Sequence, residues 1–201
     1  MEKSAIDYGF YLAKGIDFSA YKENFEKELN SSDENPYKQY LPMNWQRLTR
    51  IERQVHLNAE LLEAIASKEA KQNWLLISEH WCGDAAQIVP VLAAIAQVSA
   101  EKINLKLVYR DQNLELMDAH LTNGGRSIPK LLILNESNEL LASWGPRPKE
   151  AQDLVVRLKS NPETAANYAE ELHKWYAHDK QVKIQEELLV LMKKIISEQH
   201  K

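Results

Sequence analysis

One cysteine, Cys82, stands in a chain of 201 residues. No disulfide can close within the chain. With no second cysteine and no histidines paired at ligand spacing, no metal site is expected. Basic excess is missing too. Twenty-five Lys and Arg against 29 Asp and Glu leave a formal net charge of −4. Phosphate binding needs a concentrated basic face, so nucleic acid is not an expected partner. No apolar run approaches the length of a membrane span, and no membrane contact is expected. The opening "MEKSAIDYGFYLAKG" has no charged lead followed by an apolar core, so no signal peptide is expected there. With the single thiol, these absences lead to the expectation of a reducing cytoplasm. No internal repeat and no low-complexity segment are visible.

What remains is the composition of an ordinary soluble protein, 44% hydrophobic and 27% charged. The expected organisation is a single domain over residues 1–201, in three parts. Residues 1–72 read as a helical extension, 74–160 as the core and 161–201 as a second helical extension. In the first part "FSAYKENFEKELN" is a weak helix. "SSDENPYKQYLP", with two prolines, reads as a loop. "NWQRLTRIERQVHLNAELLEAIASKE" then reads as one long helix capped by Asn44, with Leu48, Ile51, Val55, Leu62 and Ile65 on its packed face.

The middle part alternates. "WLLISE" (74–79) is short and apolar, as a buried strand is. "DAAQIVPVLAAIAQVSA" (84–100) is helical, with Pro90 bending it. "INLKLVY" (103–109) is a strand and "NLELMDAHL" (113–121) a short helix. "NGGRSIP" (123–129) is a turn, and "KLLILN" with "LLASWG" forms a hairpin. Strand, helix, strand, helix, strand, strand implies an α/β fold, a mixed sheet with helices on its faces. From residue 148 on the chain reads as three helices. "PKEAQDLVVRLKS" opens on a proline, "NPETAANYAEELHKWYAHDK" is capped by Asn161, and "VKIQEELLVLMKKIISEQ" puts Ile184, Leu188, Leu191 and Ile195 on one face. These terminal helices are most simply read as packing.

Chemistry concentrates on "HWCGDAAQ". A thiol reacts as thiolate, and the first turn of a helix favours the anion through its unpaired N–H groups and dipole. Cys82 occupies that place if a helix begins near Asp84. Trp81 would shield one side, and Gly83 lets the loop turn. An Ile-Pro before a later strand, Ile128–Pro129, is a candidate cis peptide that would set a backbone edge beside the thiol.

Taken together these stretches resemble the thioredoxin fold over residues 74–160. "WCGDA" is close to the "WCGDC" and "WCGDS" of small thioredoxin-like proteins. Pro90 lies eight positions after Cys82, as the kinking proline of thioredoxins does. "RDQN" after the second strand is similar to their "DQN" turn. "SIPKLLIL" resembles their cis-proline stretch, with Pro129 as that proline, and Gly145 falls where they carry a late hairpin glycine. "NWQRL", "WCGDA" and "NGGRSIP" together also resemble a bacterial thioredoxin-like family with helices added at both ends. Against that pattern, Ala85 stands at the second cysteine. Leu76 stands where thioredoxins carry a buried aspartate, and Ser137 where they carry a hairpin glycine.

The resemblance implies a thiol–disulfide protein, yet the departures remove the internal resolving thiol. Three functions follow. The first is one-cysteine exchange: Cys82 forms a mixed disulfide with a protein or peptide substrate, and an external low-molecular-weight thiol releases it. The second is a non-catalytic module whose groove of Trp81, Gly83, Ile128 and Pro129 holds an extended peptide. The third is a glutathione or iron–sulfur carrier like the one-cysteine glutaredoxins. Their glycine pair and aspartate after the hairpin are replaced here by "LASWGPRPKE". No resident cofactor is expected. Around Cys82, Asp84 is a candidate for a proton or charge role, though its charge would raise the thiol pKa. Arg126 could hold an anion or the thiolate. Glu79 and His80 could reach the same mouth.

Overall fold

The computed structural model describes residues 6–32, 34–68 and 70–199. Four strands form one sheet: β1 (Gln72–Ser78), β2 (Ile103–Tyr109), β3 (Lys130–Leu134) and β4 (Leu140–Trp144). Their order is β2-β1-β3-β4. β1 runs parallel to β2 and antiparallel to β3, and β3 to β4 is an antiparallel hairpin with a bulge between Ile133 and Leu134. Trp74, Leu75, Leu76 and Ile77 of β1 are all buried, although alternate side chains of a strand point to opposite faces. Both faces are therefore covered, and the apolar run of this strand is the pattern such covering demands.

Ten helices flank the sheet among the described residues: α1 (Tyr8–Lys14), α2 (Phe18–Asn30), α3 (Leu41–Gln54), α4 (Ala59–Ser67), α5 (Gly83–Val98), α6 (Leu114–Ala119), α7 (Lys149–Ser160), α8 (Pro162–Ala165), α9 (Tyr168–Asp179) and α10 (Val182–Gln199). The architecture is the α/β mixed sheet expected from the element order. α5, which carries Pro90 in its interior, packs on α3. Ile16 bridges Leu107 in antiparallel register and covers the β2 edge, which would otherwise present unpaired backbone groups. Among the described residues no helix is long and apolar enough to cross a membrane.

The single helix expected over 44–69 is two. α3 begins at Leu41, with Pro42 in its first turn, and ends at Gln54. The chain is extended at Val55, and Asn58 restarts the helix by accepting from the Leu61 amide at 2.8 Å. This break rotates the second helix. Leu61, Ala64 and Ile65 face the core, while Leu62 is 40% exposed. Asn44 is no cap. It is buried within α3 and donates from Nδ2 to the His80 carbonyl at 3.1 Å. In the last part, Asn161 caps only the short α8, and a second helix, α9, begins at Tyr168. Ile184, Leu188 and Ile195 of α10 are buried as the apolar stripe requires, with Leu191 half-buried. α10 packs on α4 and β4, so it joins the N-terminal helices to the sheet.

Candidate active site

The polypeptide leaves β1 at Ser78 and enters α5 at Gly83, which makes Cys82 the residue that caps α5. Its backbone is extended (φ −81°, ψ 117°). The Ala85 amide donates to Sγ at 3.4 Å, and the thiol donates to the Ile128 carbonyl, also at 3.4 Å. The sulfur therefore lies between the first turn of a helix and the loop ahead of β3. The Ile128–Pro129 peptide is cis. Cys82 is only 8% exposed. That burial pushes its thiol up to about 12, and the Asp84 carboxylate adds to the rise. The amides of Ala85 and Asp84 and the Arg147 guanidinium pull the other way.

Asp84 is not a free first-turn carboxylate. It is buried, and Arg147 holds it with two N–H groups, Nε at 3.2 Å and Nη2 in a closer ion pair. The Tyr176 hydroxyl donates to its Oδ1 at 2.7 Å. Arg147 in turn donates from Nη1 to Gln152 Oε1 at 2.8 Å. Gly145 brings this arginine in. Its φ is +112°, and a Cβ there would sit 2.4 Å from the Pro129 carbonyl oxygen, so only glycine lets the two loops close.

Gly83 and Trp81 flank the thiol differently. A Cβ on Gly83 would stand 2.9 Å from His173 Nε2 and 3.6 Å from Arg47 Nη1, so helices α9 and α3 press on the residue next to the sulfur. The Trp81 ring is packed by Tyr37, stacked at 4.6 Å between centroids, and by the Arg110 guanidinium at 4.6 Å. Those contacts fix its orientation.

Of the residues marked out in the sequence, Trp81, Cys82, Gly83, Asp84, Ile128 and Pro129 are brought together. Arg126 is not joined to the thiol. Its guanidinium is engaged by Asp118 at 2.6 and 2.8 Å on the exposed side of the loop, and Arg147 is the arginine beside Asp84. Nor does His80 reach the mouth. It turns into the core, where Nδ1 meets Glu28 Oε2 at 2.6 Å and its ring stacks on Phe25. Glu79 accepts from the Asp111 amide at 2.8 Å, and burial pushes its carboxyl up to about 7. At the aspartate position of thioredoxins, Leu76 is fully buried and offers no proton acceptor.

Sequence reading missed Arg147, Tyr176, His173 and Arg47. "GPRPKE" signalled only a departure from the glutaredoxin pattern, and Tyr176 and His173 sat in a helix read as packing. Among the described residues no group of three or more His, Cys, Asp or Glu could hold a metal ion.

A helix-capping cysteine opposite an Ile-Pro loop, on this sheet, is the arrangement against which known proteins can be compared. A profile described as thioredoxin matches residues 30–165. The chain belongs to the thioredoxin family. Thioredoxin of Bacillus subtilis (strain 168) is 37% identical to it over 76 residues, which cover 37% of this chain and 70% of that protein. The matched residues 30–165 contain all four strands and α5. Two solved structures follow nearly the whole chain, including the added helices. A protein of unknown function from Pseudomonas aeruginosa has a TM-score of 0.69 at 18% identity, covering 94% of this chain and 98% of its own. An HIV epitope-scaffold has a TM-score of 0.65 at 18% identity, with the same coverage. At that identity they speak to the fold alone.

Proposed function

We propose that this thioredoxin-family chain is a one-cysteine thiol–disulfide exchange protein. The observation that carries the reading is the place of the Cys82 sulfur, capping α5 at 3.4 Å from the Ala85 amide and 3.4 Å from the Ile128 carbonyl. An extended substrate lying along the Ile128–Pro129 edge would present its disulfide there. The Cys82 thiolate attacks one sulfur of a protein or peptide disulfide. A new S–S bond forms to Cys82, the old one breaks, and the second substrate sulfur leaves as thiolate and takes up a proton. With Ala85 where a resolving thiol would stand, an external low-molecular-weight thiol, deprotonated, attacks the substrate sulfur of the mixed disulfide. Cys82 departs as thiolate and is reprotonated. The lone thiol, the net charge of −4 and the reducing thiol this cycle consumes fit a cytoplasmic protein that works on neither nucleic acid nor membrane.

A second reading has its own observation. Burial holds Cys82 protonated at neutral pH, which suits a groove that binds an extended peptide without turnover. One experiment separates the two. The folded protein is incubated with a disulfide-bearing peptide at rising pH, and the adduct is identified by mass spectrometry. Exchange requires a mixed disulfide at Cys82 whose rate climbs with pH and which a small thiol reverses. Cys82→Ser abolishes it. A folded protein that binds the peptide yet forms no adduct even at about pH 10 leaves the binding module in its place.

A further inference from the structure

The capping turn that carries Cys82 is pressed at Gly83 by the added helices, and that flank is cationic. Arg47 of α3 and His173 of α9 both come against Gly83, at 3.6 Å and 2.9 Å from the place of a Cβ. Arg47 donates from Nη1 to Asn44 Oδ1 at 2.9 Å, a neutral partner. Arg50 lies one turn further along α3 and lines a 270 Å³ pocket with Gln54, Tyr176, Lys180 and Gln181. Neither Arg47 nor Arg50 forms an ion pair with a carboxylate among the described residues. Asp84 is the nearby acid, and Arg147 and Tyr176 already occupy it. Two guanidiniums, Arg147 and Arg47, thus stand against one carboxylate around the capping turn of α5, whose own dipole adds positive potential. His173 contributes a directed donor. Gln87 Nε2 lies 3.4 Å from its Nδ1 and can only donate, so the ring proton sits on Nε2, the atom turned toward Gly83. Burial and Arg47 push this imidazole down to about 4, so it stays a neutral donor at working pH.

We propose that Arg47 and the His173 Nε2–H, with Arg50 as a more distant charge, form an anion-recognising wall beside Cys82 that selects, as its releasing thiol, a small thiol bearing a carboxylate. The inference rests on the exchange reading above and names the chemical class of its second substrate. An attacking thiolate must approach the Cys82 mixed disulfide in line with the S–S bond. A carboxylate a few atoms from its sulfur can then reach the Arg47 guanidinium, which presents N–H groups in a fork suited to it. The wall also lowers the cost of bringing an anionic thiolate up to a site that already holds Asp84.

The test starts from the full chain carrying a mixed disulfide between Cys82 and a neutral cysteine peptide, and the free-thiol protein formed when the small thiol attacks the peptide sulfur is quantified by mass spectrometry of the acid-quenched mixture. Mercaptoacetate, 2-mercaptoethanol and cysteamine supply an anionic, a neutral and a cationic attacking thiol. Each rate is corrected for thiolate fraction. In the wild type the mercaptoacetate rate exceeds the other two, and high salt removes the advantage. In Arg47→Gln the ratio of mercaptoacetate to 2-mercaptoethanol rates falls about fivefold, the size expected of one partly screened charge contact. Arg47→Lys recovers part of it, and Arg50→Gln gives a smaller drop. Equal rates for all three thiols in the wild type, or a ratio untouched by Arg47→Gln, overturn the wall and leave exchange standing. Failure of Cys82 to take up the peptide as a mixed disulfide in the folded protein removes exchange itself, and this inference with it.

Discussion

Tyr176, on a helix far downstream of the core strands, donates its hydroxyl proton to Asp84 at 2.7 Å, two residues from the thiol. With Arg147 on the same carboxylate, this contact joins the C-terminal extension to the active-site turn.

Charge at that cluster sets the Cys82 thiol in opposite directions. Asp84 raises its pKa and Arg147 lowers it. Asp84→Asn therefore brings the thiol down and speeds iodoacetamide alkylation severalfold at a given pH, while Arg147→Gln slows it. Burial, the larger cause, is untouched, so the Asp84→Asn thiol stays above its ordinary value. Removing one partner of a buried pair strands the other, so either change should cost stability on the order of 3 kcal/mol, read by urea unfolding. Equal rates in both variants would separate this cluster from the thiol.

Glu79 gives stability a pH dependence of definite sign. Its carboxyl rises from 4.5 unfolded to about 7 folded, chiefly through burial. The folded state thus binds the proton more tightly. Its contribution is full below 4.5 and is lost as pH rises through 7. Glu79→Gln should flatten the stability profile between those values, measured by denaturant unfolding at several pH values. A slope unchanged by the substitution would assign it to another group.

Ala85→Cys restores the missing sulfur. Ala85 is buried one turn from Cys82, with its amide already on Sγ. Residues i and i+3 share a helix face, so the pair should close a disulfide under mild oxidation. The variant should gain a modest dithiol-dependent reduction of insulin. Leu76 limits the gain, because no buried carboxylate stands there to accept the proton of the second thiol. Two free thiols in an oxidised, folded variant would show that the site is arranged otherwise.

Gln185 ties the two extensions together. Its Oε1 accepts from the Asn58 amide at 2.8 Å, and its Nε2 donates to the His56 carbonyl at 3.0 Å. Gln185→Ala leaves both backbone groups without this partner and should cost about 2 kcal/mol. Limited proteolysis of the variant should then cut first between α3 and α4. A cleavage pattern identical to the wild type would mean that the tie carries no load.

Strands and their succession along the chain were legible because each sits on a local pattern. "WLLISE" and "INLKLVY" bury their apolar residues, and "WCGDA" and "SIP" fix turns through glycine and proline, whose allowed backbone angles are intrinsic to the residue. The helix break at Val55–Asn58 was hidden because the apolar spacing runs through it. What stops the helix is the Asn58 cap and the distant Gln185, and spacing registers neither. Likewise the sequence by itself determined that a lone thiol caps a helix opposite an Ile-Pro edge. Only the tertiary structure decided that Arg147, not Arg126, holds Asp84, that His80 faces inward, and that Arg47 and His173 close on Gly83. Those choices depend on through-space electrostatics and packing between segments tens of residues apart, and no local periodicity encodes which segments meet.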